Sequence, residues 1–592
     1  MYLVHQSVLS TACCAEQYHW EFGSVVPQPN WGDGTLSERR NCRRFRLGCR
    51  PLIGAVCAAF TAFLVLGLPA LADEIEPESE PAVEPAPEPA AKPAPKAVPA
   101  PKAASEPDGW RITPDIGWKH GDHRFDLRFS ARNRWERWEA QTNSDDNIYG
   151  VRVRASGEYA WKDYVRVFAE GQWAGVYDLN STASGAAGLY RGNAHNPPSG
   201  SVNSARVYQL YAQGGLDSEN WLRVGRQAIK NASAIKYKDG NWKYLKNKRL
   251  GQRLVGGVGW THGERSYDGI SARMEQDGHV LDFYAAEPTT GVFEIDRSYK
   301  RQKDVIFGGI DWTVERGTWF ENTELSAFFV GFADVRDTQD VVPPFFGDIN
   351  VYTFGISSLG VYPMGPGNLD VILWGAAQVG SYEDRYAACD ANPTVPCGPL
   401  APGSRDLDQL AWAGIAEVGY QFSDVWGKPW LRTGVNFASG DSNPAQGTGV
   451  SGGGNRNTFF NLLPTNHLYY GYADQVAFSN LIDLLVQFKL SPTPKLGIEL
   501  AFHQFWLYTS RDARYFGSGA FAKRSLGFGR SPSNGSNNVG QEIDFEVNYK
   551  VNKHLGLAAG VAHLFGGGVF KRNPTYSDED TTWAFAQVTL SY

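Results

Sequence analysis

Arginines recur at alternate positions along several short stretches: Arg128, Arg132 and Arg134, then Arg152 and Arg154, then Arg166, Arg223, Arg226, Arg273 and Arg432. A guanidinium stays protonated throughout the physiological range and binds a planar carboxylate through two parallel N–H···O bonds. A wall of such groups could hand a polyanion from site to site without trapping it. Carboxylates share the same segments (Glu158, Glu170, Asp282, Glu417, Glu499, Glu542, Asp544, Glu546), so the alternative is that these charges pair with one another and stiffen the wall. A second basic group spans Lys230 to Arg265, where nine cationic residues stand against Asp239 and Glu264, interleaved with Tyr237, Trp242 and Tyr244. Such a surface attracts an acidic polymer or lipopolysaccharide phosphates. Other chemistry is poorly represented. The eleven His include no arrangement that singles out a catalytic base, so neither an enzyme nor a cofactor is expected. Gly440-Asp441-Ser442-Asn443-Pro444 lacks the ligand spacing of a Ca²⁺ loop and reads as a structural turn, and His467 reads as a residue that orders its loop.

The elements that must carry these side chains have a period of two. Phe125, Leu127, Phe129 and Ala131 alternate with Asp126, Arg128, Ser130 and Arg132; Val151, Val153 and Ala155 alternate with Arg152, Arg154 and Ser156. The pattern predicts strands near 124–138, 148–160, 164–176, 205–214, 220–229, 266–276, 279–286, 305–314, 323–332, 350–360, 368–380, 409–422, 430–438, 480–490, 495–508, 541–551, 554–564 and 583–592. Gaps after even-numbered strands are short, and Asp277-Gly278 is a two-residue hairpin signature. Gaps after odd-numbered strands are mostly long, as at 177–204, 230–265, 381–408, 439–479 and 509–540. This asymmetry predicts an all-β transmembrane antiparallel barrel of about 18 strands with short periplasmic turns and long extracellular loops. The last strand, Trp583 to Tyr592, has the form that the barrel-assembly machinery of the outer membrane recognises.

Composition agrees. The 592 residues carry a net charge of −7, which points to no nucleic-acid partner. A mean hydropathy of −0.36 leaves no room for several apolar membrane helices. Residues 1–72 read as an N-terminal extension plus signal peptide: Arg39 to Arg50 is basic, Leu52 to Leu71 apolar, and Ala70-Leu71-Ala72 has the form of a cleavage site. Met1 to Ser37 reads as sequence upstream of the true start. Residues 73–110 form a Pro/Ala/Glu-rich periplasmic linker whose first 35 residues contain ten Pro and eight acidic residues, a composition that builds no core. The barrel occupies 111–592. Cys389 and Cys397 lie in a predicted outer loop and are a disulfide candidate.

Four segments then resemble a known family. Leu222-Arg223-Val224-Gly225-Arg226-Gln227, Tyr267-Asp268-Gly269-Ile270, Ala438-Ser439-Gly440-Asp441-Ser442-Asn443-Pro444 and Leu463-Pro464-Thr465-Asn466-His467-Leu468-Tyr469-Tyr470-Gly471-Tyr472-Ala473-Asp474 occur in the order seen in the alginate-export family of outer-membrane barrels. The resemblance implies a monomeric eighteen-stranded channel in the bacterial outer membrane. Through its positively charged constriction an anionic exopolysaccharide, an alginate-like polyuronate, leaves the periplasm, with a periplasmic export scaffold as a partner. The alternative is an uptake porin for small acidic solutes or oligosaccharides. The chain departs from the archetype in having only Asn552-Lys553 after its sixteenth strand, where a long periplasmic turn is expected, and in carrying the Pro-rich linker.

Overall fold

The computed structural model describes residues 111–592 apart from 114–115, 141–143, 180–189, 191–199, 233–236, 336, 339–344, 347, 385–404, 443–453, 518–529 and 575. The expected signal peptide, the linker and the Cys389/Cys397 pair lie outside the described residues.

Eighteen strands close into one antiparallel barrel. They are β1 (His123–Ala140), β2 (Ser144–Trp161), β3 (Val165–Leu179), β4 (Gly200–Gly215), β5 (Trp221–Gln227), β6 (Tyr267–Gln276), β7 (His279–Pro288), β8 (Val305–Val314), β9 (Thr323–Asp334), β10 (Ile349–Met364), β11 (Gly367–Asp384), β12 (Arg405–Phe422), β13 (Trp430–Ala438), β14 (Leu481–Thr493), β15 (Leu496–Leu507), β16 (Asn538–Lys550), β17 (Leu555–Gly566) and β18 (Thr581–Ser591). Closure is by β18 on β1, with Ala586 opposite Trp135 and Leu590 opposite Ala131. Each neighbour pairs with the next in sequence, so every backbone group in the hydrocarbon layer finds a partner without an open edge. A small hairpin, Arg111–Thr113 with Gly117–His120, adds to the periplasmic end of β1.

The alternation sets the faces. Phe129, Trp135, Val153, Val167, Leu222, Val224, Ile356, Val486, Phe545 and Val588 point outward and are exposed to lipid, while their sequence neighbours point inward. Trp161, Tyr164, Trp312, Trp319, Phe320 and Trp426 lie at the turn ends as an aromatic girdle. The Asp277-Gly278 turn has both residues at positive φ (52° and 76°), the hairpin geometry that its sequence predicts. Several strands run beyond their sequence-predicted outer ends. β2 starts at Ser144, β4 at Gly200 and β12 at Arg405, and β11 reaches Asp384. Above the bilayer there is no lipid-facing set, so pairing continues without the apolar alternation that marks it in sequence.

The packed apolar core lies inside the barrel. Described parts of two outer loops, 237–266 and 454–480, fold into the lumen and pair there. Val255 bridges Leu463, Gly256 N–H donates to Leu463 O at 2.8 Å, and Leu463 N–H donates to Leu254 O at 2.8 Å. Leu254, Val255, Phe459, Leu462, Leu463 and Phe478 are fully buried around this contact. Burying that apolar area is what draws two polar-flanked loops off the surface.

Candidate functional site

The first inward loop descends most of the barrel's height. Asp239 caps the short helix α1 (Gly240–Leu245), accepting from the N–H groups of Asn241 and Trp242, and one π-helical turn (Lys246–Leu250) continues it. Near the periplasmic end, Arg316 in the turn after β8 stacks on Tyr237 and Trp242 at 5.2 and 4.8 Å. Cations of the loop meet wall carboxylates. Lys246 contacts Glu324, which also accepts from Tyr237 at 2.6 Å. Arg249 makes a two-pronged pair with Glu417 (2.9 and 2.6 Å), and Arg253 reaches the same carboxylate at 3.1 Å. Burial opposes the charge on Arg249, but Glu417 outweighs it and raises the guanidinium above its ordinary range. Lys238, Lys243 and Lys248 remain exposed on the other side of this helical segment.

Higher up, the loop crosses the arginine-bearing wall of β1 to β4. Arg132 donates to the carbonyls of Gly259, Trp260 and Thr261, each at 2.9 Å. Arg134 lies buried over the Trp260 ring at 3.6 Å and pairs with Glu136 at 2.7 Å. Arg152 and Arg154 both donate to one carboxylate oxygen of Glu264, at 2.7 and 2.5 Å. Tyr208 also hydrogen-bonds Glu264, and Arg154 stacks over the Tyr208 ring at 3.8 Å. Arg206 holds the backbone beside it, donating to the carbonyls of Gly263, Glu264 and Ser298. Burial alone would lift the Glu264 carboxyl, but Arg154 and Arg152 outweigh it and hold it well below the ordinary carboxylate range. His262, buried among Arg134, Arg132 and Arg152, is pushed well below its usual value by burial and by those cations, and so is neutral.

The second loop is ordered by its own motif. His467 Nδ1 lies 2.8 Å from Asp474, and its ring stacks on Trp260 at 4.4 Å and on Tyr472 at 5.1 Å. Gly471 (φ 79°) sits against Glu542, where a Cβ would lie 2.4 Å from a carboxylate oxygen, and Ala473 N–H donates to that carboxylate at 2.8 Å. The backbone of Asp441 donates to Asp512 at 3.0 Å. Among the described residues no cluster of His, Cys, Asp and Glu could hold a metal ion.

Residues 122–584 match the family described as alginate export. The chain belongs to the alginate-export family. It is an outer-membrane β-barrel channel, located in the bacterial outer membrane, and the family consists of transport channels. No curated protein sequence matches it. Among solved structures it is similar to Pseudomonas aeruginosa OccK8 (OprE), at 12% identity and a TM-score of 0.46, covering 79% of this chain and 98% of that one. Acinetobacter baumannii OccAB2 is similar at 11% identity and a TM-score of 0.48, with coverage of 79% and 98%. Pseudomonas aeruginosa OpdK with vanillate is similar at 14% identity and a TM-score of 0.44, again with coverage of 79% and 98%.

Within this alginate-export barrel the arginines singled out from sequence divide into four groups. Arg132, Arg134, Arg152 and Arg154 point inward and hold the first loop. Arg273 and Arg432 point inward into carboxylates: Arg273 to Asp282 at 2.8 Å, and Arg432 to Asp370 and to Glu417 at 2.8 Å. Arg128, Arg166 and Arg223 point inward on the periplasmic half. Arg128 keeps 55% of its side chain exposed, 3.7 Å from Glu158, and Arg166 lies 3.5 Å from the same residue. Arg223 stacks on Tyr211 at 4.2 Å and donates to Gln213 at 2.8 Å. Arg226 must be corrected. It lies opposite Leu210 and Asp268 in register, shares the outward face with the lipid-exposed Leu210, and pairs with Asp268 at 2.7 Å.

The Lys230–Arg265 surface also needs correction. Its described part folds inward, where Glu324 and two carboxylates that alternation places on the wall, Glu417 and Glu499, lie in reach of Lys246, Arg249 and Tyr244. Arg206 and Tyr208 were not singled out from sequence. A bulge opposite Glu170–Gly171 inserts an extra residue in β4, so Arg206, Tyr208 and Gln209 all reach the lumen side and the period-two signal is lost there.

Proposed function

We propose that this channel carries an anionic polysaccharide of the polyuronate class. The observation that supports it is a local excess of guanidinium on the β1–β5 wall at the periplasmic end of the lumen. Arg124, Arg128 and Arg166 converge on one carboxylate, Glu158, at 3.1, 3.7 and 3.5 Å, and Arg223 beside them faces an amide rather than an acid. Asp126, paired with Arg124 at 2.7 Å, is the other acid in the group. Lys238, Lys243 and Lys248 add exposed charge from the inward helix. Confined water screens these charges less than bulk solvent does, so the entrance concentrates polyanions, and bidentate contacts to successive uronate carboxylates are individually weak enough to be exchanged along the chain. The packed core that the two loops build in the lumen favours a second reading, passage of small acidic solutes.

The two readings separate in planar bilayers. A short oligouronate added on the periplasmic side is expected to block small-ion current, and a neutral oligosaccharide of equal length is not. Arg128→Gln with Arg166→Gln weakens that block, most strongly at low salt. Free passage of small carboxylates without block by the oligouronate would favour the second reading.

A further inference from the structure

We propose that Arg152, Arg154 and Tyr208 form a binding site for a uronate carboxylate, and that Glu264 on the inward loop occupies it as a resident stand-in for the cargo. The inference rests on the polyuronate reading above and names the step at which cargo opens its own path.

Three features of the molecule meet here. The first is chemical identity. The group bound by the two guanidiniums and the phenol is a carboxylate, the same functional group that a uronate residue presents, and both arginines reach one of its oxygens at 2.7 and 2.5 Å. The second is the backbone. Glu264 has φ 47° and Val258 in the same segment has φ 54°, conformations that a non-glycine residue, and a β-branched one above all, adopts only when its surroundings impose them. The docked segment therefore holds two residues in sparsely populated conformations, a backbone cost that its contacts with the wall must offset. The third is the seat of the neighbouring backbone. On the loop, Arg132, Arg206 and Gln172 donate to backbone carbonyls at 259–264, the Gln172 contacts being long at 3.3 and 3.2 Å; Arg206 also donates to Ser298 O, and Gln172 Oε1 accepts from Arg154 at 2.8 and 2.6 Å. The loop carbonyls are neutral acceptors, which a carboxylate-bearing chain can replace with charged and stronger ones. A polyuronate that reaches mid-barrel from the Glu158 entrance thus competes with Glu264 for Arg152 and Arg154, and once it wins, the docked segment swings off the wall. Neutral saccharides offer the arginines nothing better than what they hold.

The test compares wild-type protein with Glu264→Gln, which is isosteric and keeps an oxygen for the Tyr208 hydroxyl, as full-length protein in planar bilayers. The variant is expected to conduct small ions better and to be blocked by a short oligouronate at about a tenfold lower concentration, the scale of one charge-assisted hydrogen bond. Block by a neutral oligosaccharide does not change. Adding Arg152→Gln to Glu264→Gln keeps the raised conductance and removes the tighter block, which separates a vacated carboxylate site from simple widening. Oligouronate block that is equal in wild type and Glu264→Gln overturns the proposal and leaves the polyuronate reading standing. If the oligouronate blocks neither protein, the polyuronate reading falls, and a small dicarboxylate decides the site: tighter block in Glu264→Gln sustains it, equal block overturns it. Should Glu264→Gln fail to fold, Glu264→Asp, which withdraws the carboxylate by one methylene, is read by the same criteria.

Discussion

Two groups of arginines face the same lumen and are employed differently. At mid-barrel Arg132, Arg152, Arg154 and Arg206 are largely buried against the loop at 259–264, donating to its carbonyls and to Glu264, with Arg154 also held by Gln172 and Arg206 by Ser298 O. At the periplasmic mouth Arg128 and Arg166 remain partly open to water around Glu158. The residue type and the strand alternation are identical. What differs is whether an outer loop reaches them, and that decides which group positions structure and which is free to meet a solute.

The comparison is broken most severely at Glu417, which faces Arg249, Arg253 and Arg432 together. Glu417→Gln leaves the buried Arg249 and Arg253 without their counter-charge, while Arg432 keeps Asp370, and is expected to destabilise the folded barrel by about 3–5 kcal/mol, read as a lower unfolding temperature in a heat-modifiability gel. Arg152→Gln comes next. It removes one of two cations from Glu264 and is expected to cost the loop's attachment about 1.5–3 kcal/mol, checked by faster proteolysis within 251–265 with the strands intact. The pH response has a definite sign. Glu264 is held below its ordinary range, and a free glutamate titrates near 4.3. Its contribution is therefore fully present above that pH and is lost as pH falls through the lower, bound value. Conductance controlled by this loop is expected to be constant from neutrality to mildly acid pH and to rise only in strong acid; a rise near pH 6 would assign the control to another group. The smallest stability effect is at the mouth. Arg128→Gln is expected to change stability by less than about 1 kcal/mol, because the group is exposed, yet to reduce anion preference at low salt.

How much of this was legible follows from the range of each interaction. Val151-Arg152-Val153-Arg154 states its faces locally, since lipid and water impose a period of two, and the eighteen strands and the inward direction of Arg128, Arg132 and Arg154 came from that signal. Arg226 obeys the same alternation but on the outward face, near the outer rim, where a charged pair with Asp268 leaves the hydrocarbon layer. The fate of Lys246 and Arg249 was not legible, because their partners Glu324 and Glu417 lie on strands remote in sequence and nothing in the loop's own composition says whether it turns in or out. Its glycines were a partial signal. Gly256, Gly257, Gly259 and Gly263 permit a backbone-close path, and a Cβ at Gly263 would lie 2.3 Å from Val292 O. The bulge that turns Tyr208 to the lumen side interrupts the alternation of β4, so period two alone does not give that residue its face.

The most direct measurement is the reversal potential of the wild-type channel in planar bilayers under a steep salt gradient at neutral pH, repeated with an oligouronate on the periplasmic side. The account predicts anion selectivity that weakens as ionic strength rises, together with block by the oligouronate and none by a neutral oligosaccharide. Cation selectivity, or a current indifferent to the oligouronate and sensitive to the neutral sugar, would contradict it.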